Sequence, residues 1–316
     1  MPFDRAQLKQ WAGALAQQGV RVGTSSWKYP GWCATLYDSA RYEWRGKFAR
    51  SRFERNCLAE YAEVFKTVCV DAAYYAFPTQ KFLEQLASQV PSDFLFGFKV
   101  TNEITVKTFP NLDRFGARAG KANPHFLDAG LFASSFLEPC NGIRRHVGVL
   151  IFEFTRFHPH DYAHGRDFIA DLDVFLAGLP RGWPYAVELR NPHWLQPDYF
   201  SCLAKREVTH VFNSWQAMPP VSEQMSLAGS RTNPRLVTAR FLLKPGRRYE
   251  DAVKLFQPYD RTREVNEEAR QAGRSLIREG AKAGPDRKTF IYVNNRLEGN
   301  ALETIAALTE PDGTET

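Results

Sequence analysis

No run of the chain approaches the roughly 18 to 20 consecutive apolar residues that a membrane-spanning helix needs. A membrane partner is therefore not expected. No CxxC pair occurs, and the five cysteines (Cys33, Cys57, Cys69, Cys140, Cys202) are odd in number and widely spaced. This excludes a zinc ribbon and a thioredoxin-type motif, and it fits reduced thiols in a cytosolic protein. Neither a GxGxxG after the first apolar segment nor a GxxxxGK[ST] is present, which argues against the common nucleotide-binding loops. There is no HExxH, no internal repeat and no low-complexity tract. The segment from Met1 to Gln18 lacks a long apolar core and a small-residue cleavage site. It reads as an amphipathic helix, not a signal peptide, and the expected location is cytoplasmic.

What is present is an ordinary globular composition. Of 316 residues, 44% are hydrophobic and 24% charged, which excludes a mainly disordered chain. The 41 basic against 35 acidic side chains give a net charge of +6. That excess permits an anionic small molecule or a nucleic acid as partner without demanding either. The oligomeric state is left open.

Eight apolar runs of strand length are expected at 21–25, 66–71, 94–100, 146–152, 184–189, 208–213, 236–241 and 289–293. Helical patterns lie among them at 58–65, 79–90, 124–138, 167–179, 197–206 and 261–280, with a last one at 299–308. Short, unbroken Val/Ile/Phe-rich strands alternating with helices predict an α/β fold, a single TIM-type (β/α)8 barrel with an N-terminal helix. An open doubly wound sheet is the alternative. The expected division is an N-terminal helical extension over 1–20, the barrel over 21–310 and a loose tail over 311–316.

In such barrels the active site lies at the C-terminal ends of the strands. Unusual polar residues fall there. After the first strand come Gly23-Thr24-Ser25 with Trp27, Tyr29 and Trp32, a set that can wall a ligand or anchor a packed loop. The stretch Arg41–Arg55 interleaves six cations with Tyr42, Trp44, Phe48 and Phe53. It suits phosphates and stacked bases, or is a solvated surface. Strand two ends at Cys69 and Asp71, with Tyr74 and Tyr75 beyond, and strand three carries Lys99. Strands four and five end at Glu153 and at Glu188 with Arg190, followed by Trp194. Two carboxylates on adjacent strands would stand about 5 to 10 Å apart, the spacing of an acid/base or nucleophile pair. A local Glu188–Arg190 salt bridge is the simpler alternative.

The loop His158-Pro159-His160 with His164 gathers three of the seven histidines and is a metal candidate, or a surface loop. Strand seven leads through Arg240 to Lys244, Gly246, Arg247 and Arg248, where barrels often bind phosphate. Asn294 and Asn295 after strand eight either hold a ligand or cap the last helix.

Taken in order, these motifs resemble the DUF72 (YecE-like) family from about Gly23 to Ala301. The resemblance also rests on Leu58, Tyr61-Ala62 and Phe65, on Pro78, on Ile104-Thr105, on Gly148 with Phe152, on Leu189 and Pro192, and on Gly299. It implies a TIM-type barrel in a cytoplasmic bacterial or archaeal protein, and a family without a settled activity. The chain departs from the family pattern at three places. Cys69-Val70-Asp71 stands where Glu-Ile-Asn is usual, Val106 replaces a His, and Glu153 replaces a Gln.

The leading expectation is a hydrolase or lyase acting on a phosphate-bearing substrate, either nucleic acid or a sugar phosphate. Arg190, Arg240, Lys244, Arg247 and Arg248 would hold anionic groups. Glu188 would be the general base, Asp71 or Glu153 its partner, and Lys99 the electrostatic stabiliser. Trp27, Tyr29, Trp32, Tyr75, Trp194, Asn294 and Asn295 would line the substrate site. A divalent metal could bind the carboxylates, although no specific motif calls for one. The rivals are a carbohydrate-active barrel using the Glu153–Glu188 pair with Trp27 and Trp32 as platforms, and a non-catalytic nucleic-acid-binding or assembly protein using Arg41–Arg55.

Overall fold

All eight expected strands form, and they close on themselves. In the computed structural model, which describes residues 3–309, they are β1 (Val20–Thr24), β2 (Thr67–Val70), β3 (Leu95–Lys99), β4 (Val147–Phe154), β5 (Tyr185–Leu189), β6 (Thr209–Ser214), β7 (Leu236–Phe241) and β8 (Lys288–Val293). Each pairs in parallel with its neighbours in sequence, and β1 pairs with both β2 and β8. That closure removes the open-sheet alternative. The fold is a TIM-type (β/α)8 barrel.

The inward face follows the period of two along each strand. Cys69, Val149, Ile151, Ala186, Val211, Leu236, Phe290 and Tyr292 fill the interior as one apolar cluster. Phe152 and Phe154, the alternate residues of β4, pack outward with the helices in the larger core. Two glycines let this interior close. A Cβ on Gly97 would meet the Tyr292 hydroxyl at 2.4 Å, and one on Gly23 would meet the Thr67 carbonyl at 2.2 Å.

The main helices are α1 (Arg5–Gln17), α2 (Arg50–Ala62), α3 (Gln80–Ala87), α4 (Gly165–Ala177), α5 (Pro197–Lys205), α6 (Val221–Ser226), α7 (Tyr249–Phe256), α8 (Glu267–Ala283) and α9 (Ala301–Leu308). The expected N-terminal helix is α1. The Asp4 carboxylate accepts from the Ala6 and Gln7 backbone N–H groups, and Leu8, Ala12 and Leu15 are buried. The expected tail at 311–316 lies outside the described residues.

Several expected boundaries shift for physical reasons. Helix α2 starts at Arg50 and so absorbs the end of the basic stretch; Phe53 and Cys57 turn inward while Arg50 pairs with Glu54. The pattern at 124–138 becomes a helix only from Ala129, where the Asp128 carboxylate accepts from the Leu131 N–H, and that helix widens to a π-type turn over Phe132–Leu137. Pro139 follows it and has no N–H to return to Ser135, so the regular ladder breaks. Helix α8 starts at Glu267, where Asn266 caps the Ala269 N–H. Helix α7 was not expected; its buried Ala252 and Phe256 lie four residues apart on one face.

One side chain ties α2 to the barrel. The Tyr61 hydroxyl donates to the Thr67 carbonyl at 3.0 Å and accepts from the Thr24 N–H at 3.0 Å. It therefore sets the seam between β1 and β2, beside the close approach that Gly23 permits.

Candidate functional site at the barrel mouth

Above the apolar interior the inward positions become charged. Glu153 and Glu188 are direct partners in the β4–β5 register, two residues above Ile151 and Ala186. Lys99 ends β3, Arg240 is the fifth residue of β7, Asp71 follows β2 and Arg190 follows β5. These six side chains form one network of three anions and three cations.

Arg240 is its centre. Its Nη1 donates to Glu153 at 2.7 Å and to Glu188 at 2.5 Å, and its Nη2 lies 3.5 Å from Asp71. Arg190 donates through Nε (3.0 Å) and Nη2 (2.8 Å) to Glu188 Oε1, and its Nη2 also lies 2.8 Å from Glu153. The Lys99 ammonium sits 2.9 Å from Glu153 and 3.9 Å from the centre of the Tyr74 ring. The Arg190 guanidinium lies 3.8 Å from the Trp215 ring centre.

Burial alone would raise the Glu153 carboxyl, but Arg190, Lys99 and Arg240 outweigh it and hold the group below the usual carboxylate range. Burial likewise opposes the charge on Lys99, yet Glu153 and Asp71 prevail and raise its pKa. The Cys69 thiol, beneath Asp71 on the same inward face, is pushed up to about 12 by burial. It is a protonated packing group and not a nucleophile.

This geometry revises the expected roles. Glu188 is fully buried and both of its oxygens accept from arginine. It has no free edge with which to take a proton from a substrate. Glu153 and Glu188 are bridged by Arg190 and Arg240, so the space between them holds guanidinium and not a sugar. Asp71 differs from both. Its side chain is 34% exposed, and among the described residues it makes only the long contact to Arg240.

Other predicted residues fall elsewhere. Trp32 is wholly buried between Tyr29 and Tyr37, and Trp27 is buried with it in the core, so neither offers a face to a ligand. Tyr29 packs edge-on against Tyr259 at 5.7 Å. Trp194 lies stacked on Phe157 and Phe168. Tyr75 is exposed beside Tyr74 and Arg114. Asn294 accepts from the Arg296 N–H and Asn295 from the Ala301 N–H, so both brace the turn into α9.

The loop after β7 is also corrected. Lys244 and Arg247 both hold Glu264, at 2.7 and 2.5 Å, and Arg248 holds Asp251 at 2.8 Å. Arg240 turns into the barrel and does not underlie these cations. All three loop cations are thus paired with carboxylates in this structure.

The basic stretch splits in two. Tyr42 and Phe53 are buried, whereas Trp44 and Phe48 are 61% and 43% exposed on a short hairpin, Glu43–Trp44 against Lys47–Phe48. The hairpin precedes α2, and helices in this fold begin on the mouth side. His158 and His160 stack at 5.5 Å. Among the described residues no group of three or more His, Cys, Asp or Glu side chains could hold a metal. The mouth carboxylates turn toward cations and not toward one another, so they do not present a metal-ligand set.

Trp215 was missed by the sequence reading. It follows the last residue of β6, and an aromatic directly after a barrel strand is the signal that was available.

A closed eight-stranded barrel with a charged network at the strand ends defines a TIM-barrel protein with its candidate site in the usual place. The family model described as protein of unknown function DUF72 matches residues 21–315, and the chain belongs to that family. A crystal structure of a DUF72 family protein from Enterococcus faecalis V583 superposes with a TM-score of 0.61 at 18% identity, covering 92% of this chain and 96% of that one. Another DUF72 family protein, from Thermotoga maritima MSB8, gives 0.58 at 19%, covering 92% and 99%. At this identity the likeness concerns the fold. No curated protein matches the chain.

Proposed function

We propose that the barrel mouth is the active site of a hydrolase or lyase acting on a phosphate-bearing substrate. Asp71 would take the proton from the attacking water or the substrate. Lys99 and Arg190 would stabilise the negative charge that develops, and Arg240 would hold the carboxylates that orient them. One observation carries this reading: Asp71 is the carboxylate of the network that remains partly open and weakly engaged. Preorganised cations in a buried site stabilise developing charge without reorganising. The carbohydrate rival has less support, because a glycosidase needs a protonated carboxyl and Glu153 is held ionised.

The test has two stages. Dinucleotides and sugar phosphates are screened by thermal shift, since ligands of the native state raise its apparent stability. Turnover of those that bind is then compared in Asp71→Asn. Losing a general base should lower kcat by about 100-fold or more with KM little changed. Unchanged turnover in Asp71→Asn, or no phosphate ester that binds, defeats the proposal.

The exposed Trp44 and Phe48 favour a second reading, a nucleic-acid-binding protein without turnover. Arg45 and Arg52 lie 5.7 and 5.8 Å from the Trp44 ring, a stacking platform flanked by cations. Replacing Arg45, Lys47 and Arg50 by Ala should weaken oligonucleotide binding and flatten its salt dependence. An unchanged slope leaves the hairpin as ordinary surface.

A further inference from the structure

A cavity of about 520 Å³ opens between the loop at 107–120 and the loop that follows β4. That volume lies within the range of small-ligand pockets. Its lining includes the charged Lys107, Arg156 and Asp161 and the imidazoles of His158 and His160. We propose that this pocket binds a phosphate group, as an anion site separate from the Asp71–Arg240 network and independent of any chemistry there.

The first argument is which charges are already committed. Asp161 accepts from the Thr108 hydroxyl at 2.9 Å and from the His158 N–H at 3.0 Å, so the pocket's carboxylate is occupied in tying the two loops together. It approaches His160 Nε2 only at 3.7 Å. The Lys107 ammonium is held by aromatic faces, 3.3 Å from the centre of Tyr162 and 5.8 Å from that of Phe126. No carboxylate among the described residues forms an ion pair with Lys107 or Arg156. Two cations and two imidazoles therefore face one pocket with donors to spare. The cleft at the opposite end of the barrel is lined by five cations, of which three are paired. There Lys205 and Arg206 are taken by Asp173, and Arg235 by Glu207.

The second argument is preorganisation. Asn191 pins the wall at Phe157 by a pair of bonds, accepting from its N–H at 2.9 Å and donating to its carbonyl at 3.0 Å. Thr108 bridges to Ala122 across the other loop. His158 and His160 are stacked with their planes 8° apart. An imidazole offers at least one N–H donor in either neutral tautomer. A tetrahedral oxyanion matches such a set: it has several acceptor oxygens and carries the charge that Lys107 and Arg156 leave unmatched. Aromatic support fixes the ammonium without neutralising it, which a carboxylate partner would not do.

The experiment is a titration of inorganic phosphate into the full chain at low ionic strength. The imidazole resonances of His158 and His160 are followed by NMR and affinity by calorimetry. His158→Gln and His160→Gln assign the resonances. Both should move along one saturation curve. Lys107→Met should weaken binding about tenfold, one charge-assisted contact, while Lys107→Arg retains most of it. Arg156→Gln should weaken it several-fold. Asp71→Asn should leave this titration unchanged, so failure of the mouth chemistry and failure of this pocket are read separately. The proposal is overturned by static imidazole resonances up to tens of millimolar phosphate, including the case where phosphate binds elsewhere. Equal affinity in wild type, Lys107→Met and Arg156→Gln overturns it as well.

Discussion

Two clusters of opposite charges sit on the mouth side of the barrel and behave differently. In the Asp71–Lys99–Glu153–Glu188–Arg190–Arg240 network, most members are buried and the bonds are shared several ways. In the loop after β7, Lys244, Arg247 and Arg248 meet Glu264 and Asp251 mostly in solvent. The residue types are the same. What differs is water. Solvent screens the outer pairs, so each member can leave its partner at little cost. Inside, each ion has lost hydration and depends on its neighbours, so removing one leaves a buried charge exposed to low dielectric. The cation-rich loop looks more like an anion site in the sequence, yet the buried network has the fixed geometry that charge stabilisation needs.

The largest effect should come from breaking the inner cluster. Arg240→Met leaves Glu153 and Glu188 facing each other with Arg190 as their one remaining shared donor among the described residues. Urea denaturation should show a loss of about 3 to 5 kcal/mol. A cost under about 1 kcal/mol would show that water enters the network and that the comparison is wrong.

A buried group without an ionic partner sharpens the contrast. His210 is buried on β6 beside the Tyr199 hydroxyl at 3.2 Å, and burial lowers its pKa to about 3. Its folded pKa lies below the unfolded value of about 6.5, so the unfolded state binds more protons between these two values. Stability from this residue is present above pH 6.5 and is lost as pH falls toward 3. At pH 4 the loss should reach about 3 kcal/mol. Denaturation at pH 7 and pH 4 should show a steeper fall in wild type than in His210→Gln; parallel falls would refute it.

The floor beneath the network is tested by Gly97→Ala. The added methyl group would strike the Tyr292 ring, which spans the interior from β8. Overpacking of this kind costs about 1 to 3 kcal/mol, read as a lower urea midpoint with an unchanged slope. A neutral result would mean that the interior layer is loose.

The smallest effect belongs to the outer cluster. Lys244→Ala should change stability by less than about 1 kcal/mol, and salt should erase the difference. Arg248→Ala should leave the melting temperature unchanged within error. A large effect from either would make the outer loop part of a built site after all.

Much of the fold was legible in the residues because its signals are local. The barrel strands are continuous apolar runs, and parallel strands buried on both faces need that composition. The period of two put Asp71 on one face with Cys69, and Glu188 on one face with Arg190, before any neighbour was known. The helix expected over 124–138 was legible from Ala129 onward, but its π-type widening over Phe132–Leu137 was not, because the apolar spacing is that of a regular helix and only Pro139, which lacks an N–H, disturbs it. Helix α7 was hidden in a loop valued for its cations.

The sequence by itself determined the alternation of strands and helices, the polar strand ends and the family. Composition, periodicity and motif order are properties of one chain read in one direction, and they suffice for these. Only the tertiary structure decided which charges are partners. Lys99, Glu153 and Arg240 are separated by 54 and 87 positions, and nothing local links them. Closure of the barrel brings their strand ends around one axis, excludes water, and turns three acids and three bases into a single network. The same closure buries Trp32 and leaves Trp44 in solvent, although both lie in the connection between β1 and α2. Burial depends on which surfaces meet, and that is settled by the whole fold and not by any segment of it.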